Sequence, residues 1–291
     1  MRSLIFPSSS AALLFVGLGP MGWAETAATP PIQITGAVVV GTDLRLTWAG
    51  GRPTYQLQTR PSLTSPWQIL GQPTPATNAT VSLDASHALF RVVADYTARF
   101  EVLFDATWSQ QTHPGAWPVG AHWSGPVGAM HNSLVHFWAE GETASEGIRI
   151  MAELGGQSAL LREFQAAIDQ GQAGFTLAAS GLSSPGQRVI SFPQATTRDF
   201  PLLTLCSMIA PSPDWFAGVT GLSLLDADGA WIATQTVPLY GQDAGTDSGA
   251  NFTSPDQVTN PRGVVTQMAG YPALVAGQIV PFGTFTIRRI D

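Results

Sequence analysis

The chain has 291 residues and a formal net charge of −7, and only 11% of its residues are charged, less than half the roughly 25% of an average soluble domain. All 13 basic residues are arginine, which excludes Schiff-base chemistry, a lysine general base and a phosphate-binding loop with its lysine. The negative charge argues against a nucleic-acid partner, which normally needs a basic face. The 44% hydrophobic content is enough for a core, and 30 glycines and 22 prolines favour β structure with tight turns.

Residues 1–24 have the features of a secretory signal peptide. A positive start at Arg2 is followed by an apolar stretch over 11–19, too short to span a bilayer as a helix, which needs about 20 residues. Gly22 and Ala24 supply the small residues that a signal peptidase reads. We therefore expect cleavage after Ala24 rather than an uncleaved anchor, export to the extracellular space or the cell envelope, and no membrane span in the rest of the chain.

Residues 25–94 are predicted to form a small β-sandwich. Three carboxylates and four arginines give them a net charge of +1. Apolar residues alternate with polar ones at Leu44, Leu46 and Trp48, and glycine-rich turns separate the runs. The pattern is similar to the fibronectin type III-like modules of exported bacterial proteins and contains no catalytic constellation. The predicted strands are Ile32–Val40, Leu44–Trp48, Tyr55–Thr59, Trp67–Leu70, Ala79–Leu83 and Leu89–Ala94.

Residues 95–291 form the second predicted domain and hold most of the acidity. Seventeen carboxylates and eight arginines give them a net charge of −9. Phe100, Val102 and Phe104 alternate along a strand, and apolar spacing predicts one short helix over 156–171. Further strands are predicted at 173–179, 188–192, 202–209, 216–225, 230–237, 263–268 and 279–290. The chain is thus predicted to be all-β, with two β-sandwich domains, the second carrying one short helix and long loops.

Cys206 is the only cysteine of the chain, so no intrachain disulfide can form. It lies in the apolar run 202–209, where a buried, unreactive thiol is expected rather than a nucleophile. Asn78 and Asn251 begin Asn-x-Thr sequons, which matter only in a host that glycosylates them.

Two loops of the second domain carry carboxylates suited to a metal ion. Asp214 follows Pro211 and Pro213, which restrict the backbone before it. Asp243 and Asp247 stand four residues apart in a glycine-rich loop, where backbone carbonyls can turn toward a cation. Calcium takes about six to eight oxygen ligands of these kinds, so the residues indicate a calcium site. On chemistry alone, three turn-forming aspartates that cap their own loops are the simpler interpretation.

Several short motifs of the second domain occur together in one known family. The Ser-Pro-Asp-Trp motif at 212–215 and the Asp-Ala-Gly-Thr-Asp motif at 243–247 are the most specific. The matching stretches, in chain order, are 100–109, 130–132, 138–141, 144–147, 152–155, 212–218 and 243–249. With these motifs, residues 95–291 resemble the spondin domain, the amino-terminal spondin module of the F-spondin and mindin family.

The resemblance implies a β-sandwich with a bound calcium ion, held by Asp214, Asp243 and Asp247. It also implies a secreted, non-catalytic protein that acts in extracellular matrix attachment and cell adhesion. Its ligand would be an extracellular protein or glycan. The resemblance does not name that ligand, because this chain carries a small sandwich instead of the thrombospondin repeats and the reeler module of the animal proteins.

Four histidines within 24 residues raise the question of a zinc site. They are His113, His122, His131 and His136. The last two have the spacing of a zinc-binding pair, but no cysteine or close carboxylate completes the set, and alternation along a strand would place them on opposite faces. Ordinary loop or half-buried histidines are the favoured interpretation.

A carbohydrate-binding module is the main alternative function. Four tryptophans could form an aromatic platform for sugars, namely Trp108, Trp117, Trp123 and Trp138. Tryptophans beside strands are more often part of the core, so the alternative depends on at least one of these rings being exposed.

A hydrolase is the less favoured alternative. Four acids could supply the two carboxyl groups that a glycoside hydrolase needs, namely Glu140, Glu142, Glu146 and Glu153. Closely spaced acids in a loop of glycine, alanine and serine are more typical of a solvated turn, so we expect no enzyme activity.

Overall fold

The computed structural model describes residues 30, 32–83, 89–115, 117–227 and 229–291. Within them the chain is mainly β with two short helices, which confirms the all-β expectation. No helix in this part of the chain is long and apolar enough to cross a membrane. The predicted signal peptide, residues 1–24, lies outside the described residues.

The first module, residues 30–94, contains two three-stranded antiparallel sheets. Its strands are β1 (Gln33–Val40), β2 (Asp43–Ala49), β3 (Tyr55–Arg60), β4 (Gln68–Thr74), β5 (Asn78–Ser82) and β6 (Leu89–Val93). The strand orders are β1-β2-β5 and β4-β3-β6, and all six predicted strands are present with shifted ends. The apolar cluster of this module consists of Leu46, Trp48, Tyr55, Leu57, Val81 and Val92.

The second part, residues 95–291, contains the remaining elements. Its helices are α1 (Glu146–Leu154) and α2 (Ser158–Asp169). Its strands are β7 (Thr97–Ala98), β8 (Phe100–Ala106), β9 (His122–Trp123), β10 (Val127–His131), β11 (Ala173–Ala178), β12 (Leu182–Ser183), β13 (Gly186–Ser191), β14 (Thr196–Thr197), β15 (Leu202–Ala210), β16 (Trp215–Ser223), β17 (Thr234–Leu239), β18 (Gln242–Asp243), β19 (Thr266–Gln267), β20 (Leu274–Val275), β21 (Gln278–Ile279) and β22 (Gly283–Arg289).

Two antiparallel sheets form the body of the second part. One runs in the order β11-β10-β15-β16-β18-β19, with β9 and β12 attached to it, and the other in the order β13-β8-β22-β17. Phe100, Val102 and Phe104 of β8 are fully buried and alternate with half-buried residues, as their spacing predicts. They share one apolar cluster with Met130 of β10 and Leu205 of β15, so this core lies between the two sheets.

The two helices cover the other side of the first of these sheets. Ile148 and Met151 of α1 and Phe164 of α2 belong to a second apolar cluster, together with Cys206 of β15 and Phe216 of β16. Strand β15 is therefore buried along nearly its whole length. Cys206 is fully buried, which confirms the expected buried thiol, and burial raises its pKa to about 12.

The sequence prediction found α2 but took the residues of α1 for a loop. Ser145 caps α1 by accepting a hydrogen bond from the Ile148 N–H at 3.2 Å. Gly147 lowers the helix propensity of its first turn, yet a Cβ there would lie 2.7 Å from the Glu163 carboxylate carbon. The Gly147 N–H donates to Glu163 Oε1 at 2.7 Å. Helix α1 is therefore stabilised by its contact with α2, which a local pattern does not reveal.

Candidate metal centre

Asp214 lies in the loop that joins β15 to β16. Ser212 shapes this loop, because its Oγ accepts a hydrogen bond from the Trp215 N–H at 3.1 Å. The Asp214 side chain is fully buried. Its Oδ2 accepts hydrogen bonds from the N–H groups of Thr246 at 2.7 Å and Asp247 at 3.0 Å, whereas Oδ1 has no partner among the described residues. A buried carboxylate oxygen without a donor is costly, and a cation beside Asp214 Oδ1 would remove that cost.

Strand pairing holds Asp243 next to this loop. Asp243 of β18 lies opposite Trp215 of β16, the residue that follows Asp214. Its Oδ1 accepts a hydrogen bond from the Gly245 N–H at 2.8 Å. Gly245 has a φ of 71°, and a Cβ there would lie 2.8 Å from neighbouring backbone atoms. The turn that carries the loop away from β18 therefore requires glycine.

Asp247, the third predicted ligand, is nearly buried and binds its own loop. Its Oδ1 accepts from the Gly249 N–H at 2.7 Å, and its Oδ2 accepts from the Gln257 N–H at 2.9 Å. A hydrogen bond with Asp247 also raises the pKa of the exposed Asp256. The loop-capping interpretation thus describes Asp247 well, while Asp214 keeps one oxygen without a donor.

Burial, together with repulsion from a nearby carboxylate, raises the pKa values of Asp214 and Asp243. The pKa of Asp214 rises to about 6, first because of burial and then because of the charge on Asp243, although hydrogen bonds partly offset both effects. Burial also raises the pKa of Asp243, against hydrogen bonds from Gly245 and Trp215. The ion pairs found in the described part of the chain include neither carboxylate. A positive ion would stabilise such a pair.

The three predicted ligands thus lie at the same end of the sheet without converging on one point. Asp243 interacts electrostatically with both Asp214 and Asp247. Over the described ranges, no group of three or more His, Cys, Asp or Glu side chains is arranged to hold a metal ion. The possible ligand atoms are carboxylate oxygens, and calcium completes a shell of about six to eight oxygen ligands with backbone carbonyls and water. The chemistry fits calcium, and the three-carboxylate site stays a prediction.

Two further residues of this region were missed from the sequence. The Thr246 hydroxyl donates to Asp214 Oδ2 at 3.3 Å, and Thr246 stands inside the Asp-Ala-Gly-Thr-Asp motif. Asp256 lines a cavity of about 190 Å³ together with Asp247 and Glu153. Asp256 ends a Ser-Pro-Asp sequence at 254–256, which repeats the Ser-Pro-Asp sequence at 212–214. This repeated motif could have identified Asp256 from the sequence.

The four histidines have the contacts of core and loop residues. His113 is buried and stacks on a phenylalanine ring at 4.4 Å. His131 is buried with its Nε2 2.8 Å from Thr204 Oγ1, and burial lowers the pKa of both imidazoles. His122 and His136 are exposed. Contrary to the sequence expectation, a carboxylate does lie close to one of them, since Glu142 Oε2 is 2.7 Å from His136 Nε2, but no group of three such side chains forms in the described part of the chain.

Two of the four acids between residues 140 and 153, Glu146 and Glu153, pair with arginine side chains. Glu146 pairs with Arg149 at 2.5 Å and with Arg262 at 3.0 Å, and Glu153 pairs with Arg149 at 2.6 Å. These hydrogen bonds lower the pKa of Glu146 to about 2. A glycoside hydrolase needs one acid whose pKa is raised, so the shift of Glu146 is opposite to that requirement.

Comparison with known proteins identifies relatives of the second part. The Spondin_N family model matches residues 98–273. Spondin-2 of Homo sapiens is 35% identical over an alignment of 207 residues that covers 66% of this chain and 62% of that protein. Spondin-2 of Rattus norvegicus is 34% identical over 174 residues, 59% of this chain and 52% of that protein. Spondin-1 of Xenopus laevis is 28% identical over 207 residues, 67% of this chain but 25% of that protein. This chain therefore spans less than two thirds of each of these relatives.

Proposed function

Because the chain belongs to the Spondin_N family, we propose that it is an exported, non-catalytic, calcium-binding protein of extracellular matrix or cell-surface adhesion. The observation that carries the calcium proposal is the buried Asp214 Oδ1, which has no hydrogen-bond donor among the described residues. It stands beside a second carboxylate whose pKa is also raised. The adhesion role rests on family membership.

In this proposal Asp214 and Asp243 are the principal ligands, and Asp247 completes the carboxylate set. Calcium would supply positive charge that offsets the repulsion between the carboxylates. Asp214 ties the loop after β15 to the loop after β18, since its Oδ2 binds the backbone of Thr246 and Asp247. These loops lie at one end of the sheet, and an ordered surface at that end is the proposed contact region for a ligand.

A thermal unfolding series in calcium and in chelator tests the metal. Calcium at about one hundred times its Kd adds about 2.7 kcal/mol to the folded state, which corresponds to a rise in Tm of about 5–10 °C. Asp243→Asn should lose most of that rise. In chelator the same variant should be at least as stable as the parent, because it removes the repulsion with Asp214.

Asp169→Asn is the matched control, since it makes the same chemical change at an exposed position at the end of α2. It should keep the full calcium response. An unchanged Tm in calcium, or equal responses in Asp243→Asn and Asp169→Asn, would refute the calcium site.

Adhesion has its own test. Beads coated with the purified chain should attach to extracellular matrix or to cells in calcium, and attachment should fall in chelator. Attachment that is equal in both conditions, or no better than with uncoated beads, would contradict an adhesion surface ordered by calcium.

A carbohydrate-binding module is the second candidate, and one observation favours it. Three of the four tryptophans are core residues, as expected for rings beside strands. Trp117 is half-buried against Trp108 and borders a cavity of about 670 Å³. Asp105, Gln110 and Gln187 also line it, and a ring beside amide and carboxylate groups suits a sugar. Retention on a polysaccharide column that is lost in Trp117→Ala would support this function, and no retention would exclude it.

A further inference from the structure

A cavity of about 420 Å³ lies within the first module. Residues of β4 and β5, which are edge strands of the two different sheets, line it together. Trp48, Leu57 and Val81, three members of the apolar cluster of this module, also line it. The cavity therefore reaches from the open side of the small sandwich to its core.

An irregularity in β4 gives this cavity its room. Between two paired positions, β3 has one residue, Gln56, whereas β4 has three, residues 71–73. A bulge of this kind bends a strand away from its partner. The buried Gln56 side chain holds the bulge, because its Nε2 lies 3.2 Å from the Leu70 carbonyl oxygen and 3.3 Å from the Gly71 carbonyl oxygen. Gly71 has a φ of 74°, which favours glycine, so the opening belongs to the fold of the module.

Trp48 brings a buried donor without a partner to this cavity. Trp48 is 4% exposed, and its indole Nε1 has no hydrogen-bond partner among the described residues. The ring is held by an edge-to-face contact with Tyr55, with the centroids 5.7 Å apart. An indole N–H can only donate, and a buried donor without an acceptor is unfavourable. An acceptor atom in the cavity would remove that cost.

The lining favours an uncharged ligand. None of the described residues that line the cavity has an ionisable side chain, so an ion would lose its water without gaining a charged partner. The apolar side chains suit an apolar ligand body, and the exposed Gln72 and Thr80 stand at the rim. Apolar walls with a few placed polar groups are typical of small-molecule sites.

We infer that this cavity binds a small, uncharged apolar molecule through one carbonyl oxygen, which accepts a hydrogen bond from Trp48 Nε1. The volume of the cavity lies within the range of about 300–1,000 Å³ that is usual for such sites. The cavity shares no residue with the loops of Asp214, Asp243 and Asp247. The inference therefore does not rest on the proposed calcium function, and binding should be equal in calcium and in chelator.

Nuclear magnetic resonance of the purified chain tests the donor directly. Each tryptophan gives one indole N–H signal, and Trp48→Phe identifies that of Trp48 by its loss. The probes are acetophenone for an aromatic carbonyl compound, 2-octanone for an aliphatic one, ethylbenzene without an acceptor, and octanoate with a charge. At least one carbonyl probe should move the Trp48 signal at millimolar concentration. Ethylbenzene should bind about three- to tenfold more weakly than the better carbonyl probe, the effect of one hydrogen bond, and octanoate should bind more weakly than 2-octanone.

Variants of the lining locate the binding, measured by isothermal titration. Trp48→Phe keeps an aromatic ring but removes the donor, so it should weaken the better carbonyl probe about three- to tenfold. Ala79→Leu should lose most of the binding, because Ala79 lines the cavity and the larger side chain would occupy it. Ala37→Leu is the matched control, since Ala37 is exposed on β1, lies outside the cavity and pairs with Leu46 as Ala79 does. It should bind like the parent. Trp48→Phe and the ethylbenzene comparison keep the test sound if Ala79→Leu does not fold.

Four outcomes would overturn the inference. One is that neither carbonyl probe moves the Trp48 signal at millimolar concentration. A second is that ethylbenzene binds as tightly as the better carbonyl probe, which would make the cavity an apolar gap without a recognition group. A third is that octanoate binds more tightly than both carbonyl probes, which would contradict the uncharged class of ligand. The last is that Ala79→Leu weakens binding no more than Ala37→Leu, which would place the ligand elsewhere.

Discussion

The first module and the second part both bury polar side chains, but only the second part buries carboxylates among the described residues. The first module buries neutral groups such as Gln56, whose Nε2 lies 2.8 Å from the Leu57 carbonyl oxygen. The second part buries Asp214 and Asp247. Hydrogen bonds offset most of the cost of a buried amide, whereas a buried carboxylate also needs a cation or a proton.

In the calcium proposal, this difference separates a module that its own contacts stabilise from one that a metal ion further stabilises. In both regions a buried acceptor oxygen lacks a donor in the described part, Gln56 Oε1 in one and Asp214 Oδ1 in the other. The free-energy cost of this missing hydrogen bond is modest for a neutral amide and large for a charged group. Calcium should therefore raise the stability of the second part and leave that of the first module unchanged, and unfolding experiments test this difference.

The largest expected effect is that of Phe104→Ala in the core of the second part. Phe104 is fully buried, with its ring centroid 4.9 Å from that of Trp123 and 5.0 Å from that of Phe285. Truncating a buried phenylalanine costs about 3–5 kcal/mol. In a urea titration followed by fluorescence, the transition of the second part should move to lower urea while the first module keeps its midpoint.

Trp48→Ala is the counterpart in the core of the first module, and it should move only the other transition. If either variant shifts a single transition as a whole, the two parts unfold together and the contrast in stability does not exist.

A smaller loss of stability is expected for Arg289→Met, which removes a largely buried ion pair of the second part. Arg289 is largely buried and binds Asp95 through two nitrogens, so its loss leaves a carboxylate with little access to water. We expect a cost of about 1.5–3 kcal/mol, seen as a shift of the second part's unfolding transition to lower urea in a urea titration.

Arg288→Met is the matched control for that variant. Arg288 is the preceding residue, and its side chain is exposed and pairs with Glu101 at the surface. A surface pair contributes at most about 1 kcal/mol. Equal costs for the two variants would show that the largely buried Asp95–Arg289 pair stabilises the second part no more than a surface pair does.

Much of the fold followed from local patterns, and the exceptions have a common cause. Alternation predicted the strands of the first module and β8, because the face of a strand residue follows from its position in the chain. Helix α1 was missed because Gly147 reads as a loop residue. That glycine is explained by the close approach of α2 and the hydrogen bond to Glu163, a contact between residues sixteen positions apart.

Local sequence patterns were likewise insufficient for the candidate sites. The motifs identified Asp214, Asp243 and Asp247 as possible ligands. Their spacing did not predict that Asp247 would cap its own loop or that Asp214 Oδ1 would lack a hydrogen-bond donor. The pair of Asp95 and Arg289 could not be read from any single stretch of sequence either, because 194 positions separate the two residues. Sites formed by tertiary contact require the fold.

The smallest expected effect is that of Val39→Thr on β1. Val39 is 60% exposed on an edge strand, so we expect a change within about 0.5 kcal/mol. Val102→Thr makes the same substitution at a fully buried position of β8, where an unpaired hydroxyl costs about 1–3 kcal/mol. Urea titration of the two variants compares the stability that a strand valine contributes at an exposed position of the first module and at a buried position of the second part. A loss for Val39→Thr as large as for Val102→Thr would mean that β1 is covered in solution, because only a contact on its outer face could make that methyl group matter.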